Sequence, residues 1–580
     1  MADRVDQLEG RVRQVEEVLA RVERRLSALE GGARAVPEER GEEGGTVTAG
    51  PAAATGPGAA VDVAGVLSLV GRTSIVLGGA YLLRALTESG WLPAGAGVAA
   101  GLLYALGWLG AADRAAAAAR PLSALFHGLA TVIIGFPLIW EASTRFGFFG
   151  AWASAAALTG LTGLALGVAW RCRLHGLAAA ASLAALAAAL ALVATLGQAV
   201  PLSAFLVLVG VATLWLGYER DWYWLRWPAA IVANLVIVGV ATRAVHQPPL
   251  ERPGDVIALQ VFLLAAYLAS FAVRTLWRGR NVIPFEVVQT AAAVVVGLGG
   301  AIVVARASGT GEAALGLASV LLGAGGYAVA FAFVGRRQGL GTNFYFYATL
   351  ALVLSLTGLG GLLSGSALAL ALGALSAVTA WLGHRLSRLA LTVHAAVYAT
   401  GAGLVSGLLA TAGAALVGAP GQAWITPGPV AWAVLGILLA CLATPRPAQV
   451  EAAAWIAGVP RFVLALLAVV SAGGALVSVV APIVAGMPPD AGVLATVRTA
   501  VLAGAAVLVA FLAKYDATRE LGWLLYPVLL AGGLKLLTED FRYSRPATLF
   551  IALALYGAAL VTAPRVAKRA AGAAPSPPAN

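Results

Sequence analysis

Phe462 to Val480 reads FVLALLAVVSAGGALVSVV, nineteen residues without a formal charge. A helix crosses the ~30 Å hydrocarbon core of a bilayer with about 20 apolar residues, so this stretch is long enough to span on its own. Ala313 to Val334 and Leu391 to Leu409 have the same character, and segments of this kind follow one another from about Val63 to Val561. Short loops between them hold most of the charge. The fold class expected is therefore all-α: a polytopic transmembrane helical bundle of about eighteen spans, running from near 63–86 to near 546–564 and including spans near 388–412, 427–443 and 521–537.

Composition agrees with that reading. Of 580 residues 60% are hydrophobic and 11% charged, and mean hydropathy is +0.87, far from the soluble norm of about 25% charged. A net charge of +11 would suggest nucleic acid in a soluble domain, but here the cations sit between spans, where membrane orientation accounts for them. Nucleic-acid binding is excluded on that ground. The basic residues are 35 arginines and three lysines (Lys514, Lys535, Lys568), which with the excess of Ala and Gly indicates a GC-rich bacterial coding bias rather than chemistry.

With the N-terminus in the cytoplasm, inside loops and span ends hold twenty cations, from Arg114 and Arg120 through Lys514 and Arg565. Outside ones hold seven: Arg145, Arg243, Arg252, Arg306, Arg498, Arg542 and Arg545. The positive-inside rule then puts both termini in the cytoplasm, and the localisation expected is the bacterial inner membrane, multi-pass. The first thirty residues are charged and lack an apolar core, so no secretory signal is expected.

Those thirty residues carry a second pattern. Val5, Leu8, Val12, Val15, Leu19, Val22, Leu26 and Leu29 alternate spacings of three and four, which makes four heptads. With Val5 at position a, Glu9, Glu16, Glu23 and Glu30 occupy e, while Arg4, Arg11 and Arg25 occupy g. Each of those arginines then meets the following glutamate of a parallel partner. A cytoplasmic coiled coil over 1–30 is expected, making a homo-oligomer, with an amphipathic helix on the membrane surface as the alternative. Residues 31–60, rich in Gly, Ala, Pro, Glu and Thr, read as a flexible linker; the transmembrane domain covers 61–565, and 566–580 form a disordered cytoplasmic tail.

Chemistry is harder to find. The five histidines fall in different segments and make no ligand pair at helical spacing, so no metal site is expected. The Gly-rich strings at 323–326 and 358–361 have no preceding strand and no Gly-Lys-Ser/Thr, and read as helix packing or kinks, as do the small-residue pairs Gly97/Gly101, Gly163/Gly167 and Gly361/Gly365. Cys172 and Cys441 form no redox motif. No catalytic residue and no cofactor is identified.

One pattern repeats. Arg84-Ala-Leu-Thr-Glu88 lies near the outer end of the first span, and Lys535-Leu-Leu-Thr-Glu539 near the outer end of the seventeenth. A cation four residues before a glutamate is the weaker order for helix stability, and a glutamate at a helix C-terminus opposes the macrodipole. Snorkelling anchors are one reading. The other is a shared outer-face polar cluster of Arg84, Glu88, Lys535 and Glu539 or Asp540, with Arg545 beside it, built by crossed pairing of the two ends. Glu141, and Glu286 with Gln289, are weaker candidates. Arg72, well inside the first span, implies either a later start or a buried charge.

At these residues the chain resembles a family of uncharacterised bacterial membrane proteins, domain of unknown function two-three-three-nine. The matching stretches are Gly71-Arg72, Gly78-Gly79-Ala80-Tyr81-Leu82-Leu83-Arg84, Glu88 and Gly90-Trp91, and at the other end Lys535, Asp540 and Arg545 before a last span closing in basic residues. Thr538-Glu539 departs from that pattern. The resemblance implies an N-terminal coiled coil and many spans, and it implies no activity.

Three functions fit the residues. The leading one is a non-enzymatic membrane protein that binds or moves a lipid or another hydrophobic envelope component. The others are an envelope scaffold assembling partners through its coiled coil, and a membrane-embedded transferase acting at the outer face through Glu88 and Asp540. Scarce intramembrane charge argues against an ion-coupled pump, since proton and sodium relays generally use buried carboxylates.

Overall fold

The computed structural model describes residues 63–246, 251–335, 341–419, 424–445, 454–487 and 489–572. The expected coiled coil, linker and most of the tail lie outside them. The chain divides into two units, Met1–Leu67 and Ser68–Asn580; of the first only the start of a helix is described, and the packing below is that of the second.

The architecture is an all-α polytopic bundle, with no strand among the described residues. In chain order the helices are α1 (Val63–Glu88), α2 (Ala94–Ala117), α3 (Pro121–Thr144), α4 (Ala151–Cys172), α5 (His175–Leu196), α6 (Val200–Arg220), α7 (Arg226–His246), α8 (Pro253–Trp277), α9 (Pro284–Ser308), α10 (Glu312–Val334), α11 (Thr342–Leu362) and α12 (Gly365–Leu386). They continue as α13 (Leu389–Val405), α14 (Leu408–Val417), α15 (Pro429–Ala443), α16 (Ala454–Ala485), α17 (Ala491–Leu512), α18 (Thr518–Tyr543) and α19 (Pro546–Gly572). Among described residues fifteen helices are long and apolar enough to cross a membrane, or sixteen if the bent pair α13 and α14 is one span. The chain is a multi-pass membrane protein.

Helix starts follow local chemistry. Proline, whose missing N–H costs nothing in the first turn, opens α3, α8, α9 and α15. The outward faces remain apolar: Leu321, Leu530 and Phe550 are 63%, 74% and 71% exposed, as helices surrounded by lipid require. With lipid outside there is no hydrophobic drive for helices to associate, so close packing has to supply it. The glycine strings serve that purpose. A Cβ on Gly358 of α11 would stand 2.7 Å from the carbonyl oxygen of Gly316 on α10, and one on Gly323 would stand 2.5 Å from Ser355 Oγ.

The small-residue pairs behave unevenly. Gly97 and Gly101 do pack, against Thr87 and Leu138. Gly163 and Gly167 have nothing within 4 Å of the Cβ position, and Gly365 starts α12 in the left-handed conformation.

One expected span is two helices. Over 388–412 the chain breaks between α13 and α14 with a 70° bend. Gly407 adopts φ +73°, a region open to glycine without a Cβ penalty, and Ser406 Oγ accepts the Leu408 N–H at 3.4 Å. At ten residues α14 is about 15 Å long and at fifteen residues α15 about 22 Å. Neither reaches across the hydrocarbon core alone.

Candidate functional site

Both short helices end on a buried arginine. Arg498, in the second turn of α17 and 2% exposed, donates from Nε to Ala415 O at 2.7 Å and from Nη2 to Gly418 O at 2.9 Å and Ala414 O at 3.4 Å. All three carbonyls lie at the C-terminal end of α14, where Ala414 O also accepts the Gly418 N–H at 2.9 Å and a cation meets the negative end of the helix dipole. Its Nη1 pairs with Glu539 Oε1 of α18 at 2.6 Å. At α15 the arrangement recurs: Arg461 of α16 donates to Leu442 O at 3.0 Å and lies 3.7 Å from Glu520. Arg498 is thus not the outer-loop cation expected from sequence, but a structural charge about 10 Å along its helix from Ala491.

Around Arg498 the network closes. Lys535 Nζ donates to Asp540 Oδ2 at 2.7 Å, to Thr499 Oγ1 at 2.7 Å and to Ala495 O, and stands 3.6 Å from Glu539 Oε2. Thr499 Oγ1 donates to the same Asp540 Oδ2 at 2.9 Å. Asp540 is fully buried, and its Oδ1 accepts no hydrogen bond among the described residues. Residues 536–540 form a π-helical turn, a widening often found at functional sites. Two cations and two carboxylates make the network neutral. Buried carboxylates are present after all, so the argument from scarce intramembrane charge loses its premise; Glu286 and Glu520 are buried as well.

At the end of α1 the other copy of the repeated pattern builds a separate cluster. Arg84 pairs with Glu88 at 2.9 Å and with Glu141 of α3 at 2.8 Å, and Glu88 pairs with Arg145 at 2.7 Å. The ends of α1 and α3 therefore meet. Beneath Arg84 and Glu141 a cleft of about 250 Å³ is floored by Val98, Ile133, Ile134, Pro137 and Leu138. The crossed pairs are not seen: among the described residues no ion pair joins Arg84 or Glu88 to Lys535, Glu539 or Asp540, because each charge is satisfied within its own cluster. Arg545 reaches neither and lies 3.6 Å from Asp490 at the surface.

A second recess, of about 490 Å³, runs between α16 and α17. Its walls are apolar, with the small residues Ala468, Ala472, Gly473, Ala500, Gly504 and Ala505 set among leucines and valines. Val497 and Val501 at one end adjoin the Arg498 network, while Leu442 and Leu521 at the other adjoin Arg461 and Glu520.

The remaining candidates are structural. Glu286 pairs with Arg274 at 3.0 Å, accepts the Ile283 N–H at 2.9 Å and the Tyr218 hydroxyl. Gln289 accepts from Asn234 of α7 at 3.0 Å. His394 sits at 2.9 Å from Tyr327 Oη, which is 3.1 Å from Tyr398 Oη. Arg72 is the tenth residue of α1; its side chain lies outside the described ones. Sequence reading missed Glu141 as a partner of Arg84 and missed Thr499, and it placed Arg498 among the outside cations; the signal available was an arginine followed by a threonine inside a mostly apolar span.

Comparison with protein-family models, with curated proteins and with solved structures finds no match.

Proposed function

We propose that this membrane protein binds and moves a lipid or another amphiphilic envelope component, without catalysing a reaction. The observation that carries the reading is the cleft at the end of α1, with an apolar floor and the charged pair Arg84 and Glu141 in its lining, Arg84 being paired in turn with Glu88 and Glu88 with Arg145. Apolar walls with a few convergent polar groups describe a ligand site, and here the charged pair lies at a span end, where a headgroup sits. The recess between α16 and α17 supplies a second apolar surface of acyl character. Under the cation bias of the loops both termini are cytoplasmic and the cleft opens to the outer side of the inner membrane. The first thirty residues hold copies together as a parallel coiled coil, and the resemblance of 71–91 and 535–545 to the uncharacterised family belongs to the same proposal.

The test is lipid retention. Protein isolated in native-membrane discs should carry a defined lipid class by mass spectrometry, and Arg84→Gln with Glu141→Gln should retain about tenfold less, equivalent to ~1.4 kcal/mol. Equal retention by the double variant rejects the cleft as the binding site.

A further inference from the structure

Within the network at α17 and α18 every donor atom has a partner. The three ammonium protons of Lys535 go to Ala495 O, Thr499 Oγ1 and Asp540 Oδ2, and Arg498 is spent on three α14-end carbonyls and Glu539. The group left over is an acceptor, Asp540 Oδ1, on a fully buried side chain. An unpartnered carboxylate oxygen at membrane depth is costly and marks a functional position. Four residues on, where α18 gives way to the loop before α19, Ser544 Oγ is also buried without a partner. Ser544 stands one turn after Asp540 at the end of α18, and its backbone N–H donates to Asp540 O at 2.9 Å.

We propose that Asp540 is a proton-binding site whose occupancy is transmitted to the half-helix α14. The proton enters from water at the end of α18 and forms an O–H bond at Oδ1, leaving the carboxyl neutral. Lys535 keeps its charge and loses its nearest counter-charge. Its remaining anion is Glu539, 3.6 Å away, and the ammonium turns toward it. Glu539 is the partner of Arg498, so sharing it weakens the hold of Arg498 on the carbonyls of Ala414, Ala415 and Gly418. The other end of α14 is the bend at Gly407 and its middle, at Ala412, is packed tightly on Gly474 of α16, so the change is felt at the C-terminal turn, where Val417 is exposed.

The charged and titratable groups around Asp540 are few. Arg498 comes from α17, and Lys535 and Glu539 from its own helix. Asp490 and Arg545 pair with each other at the surface, and Arg542 is exposed. Helix α19 contributes Tyr556, whose hydroxyl donates to Leu529 O at 2.8 Å, and α14 contributes none. The other carboxylate of the network, Glu539, is held by Arg498 as its counter-ion at 2.6 Å.

The proposal stands apart from the lipid reading, because its readouts do not involve retention at the Arg84 cleft. Full-length protein in lipid discs is compared at neutral and acid pH by infrared difference spectroscopy. A spin label on Val417→Cys, at an 82% exposed position at the end of α14, reports the half-helix after Cys172 and Cys441 are replaced by Ala. A protonated-carboxyl band is expected on acidification, together with a rise in label mobility, and both are lost in Asp540→Asn. Glu539→Gln should keep the band and lose the mobility change, which covers the case in which Asp540→Asn does not fold. A band that persists in Asp540→Asn overturns the proposal. So does a label unmoved while the band appears, or one that still responds to pH in Glu539→Gln.

Discussion

Arg498 Nη1 lies 2.6 Å from Glu539 Oε1 across 41 positions of sequence, and through that contact the end of α14 is held to α18. The arginine donates to Ala415 O and Gly418 O, which lipid cannot hydrate, and more weakly to Ala414 O, which also accepts the Gly418 N–H. Removing it takes the side-chain donor from Ala415 O and Gly418 O and leaves Glu539 with Lys535, 3.6 Å away, as its remaining cation. Arg498→Met is therefore expected to destabilise the protein by ~3–5 kcal/mol, read as a fall in the thermal unfolding midpoint in detergent. Arg498→Lys, which keeps the charge but not the fork, should recover only part of the loss.

Gly358 and Gly360 offer a matched pair. A Cβ at position 358 meets backbone of α10 at 2.7 Å, which cannot yield, whereas position 360 has nothing within 4 Å. Gly358→Ala should cost ~1–3 kcal/mol through overpacking and Gly360→Ala should be neutral or stabilising. Equal unfolding midpoints for the two variants refute the close contact between α10 and α11.

Gly504 lines the recess between α16 and α17 and has no atom within 4 Å of its Cβ position. Gly504→Leu should occupy that space without disturbing the fold. The expected result is an unchanged unfolding midpoint with loss of acyl-probe photolabelling on α16 and α17; unchanged labelling shows that no chain enters there.

Orientation rests on loop cations. Reporter fusions after Gly31 and at Asn580 should both report cytoplasm. A periplasmic result at one end alone means an odd error in the number of crossings.

The N-terminal heptads make a separate prediction. A peptide of residues 1–30 on a neutral carrier should form a weak parallel dimer by analytical ultracentrifugation, and polar replacement of Leu8, Val15, Val22 and Leu29 should abolish it. A monomer at millimolar concentration assigns the apolar stripe to docking on another surface.

The bundle was legible because a span such as Phe462–Val480 announces itself by length and composition alone, and that signal does not depend on neighbours. The bend within 388–412 also had a local sign, Ser406-Gly407, which the continuous apolar run concealed. Arg498 had a sign that misled: near a predicted span end, a cation reads as a loop residue until its carbonyl partners are known. The two repeated cation and glutamate motifs were found, but their partners were not. Pairing of Arg84 with Glu141 depends on α3 returning to the same end, and pairing of Lys535 with Asp540 and Thr499 on α17 lying alongside. Tertiary neighbours decide those contacts, and spacing within one helix does not.

The separation in sequence between Arg498 and its carboxylate also governs how the chain enters the membrane. During synthesis α17 reaches the insertion machinery before Glu539 has been made, carrying a lone guanidinium that costs ~2.5–3.5 kcal/mol near the centre of an inserted helix. Lys535, Glu539 and Asp540 then arrive together on α18, still lacking the arginine. Each helix is apolar enough to span but meets its charge partner only when both have been made, so α17 is expected to leave the lateral gate together with α18. With the chain arrested so that α17 but not α18 has left the ribosome, α17 should cross-link to the lateral gate, and once α18 has left as well it should cross-link to lipid.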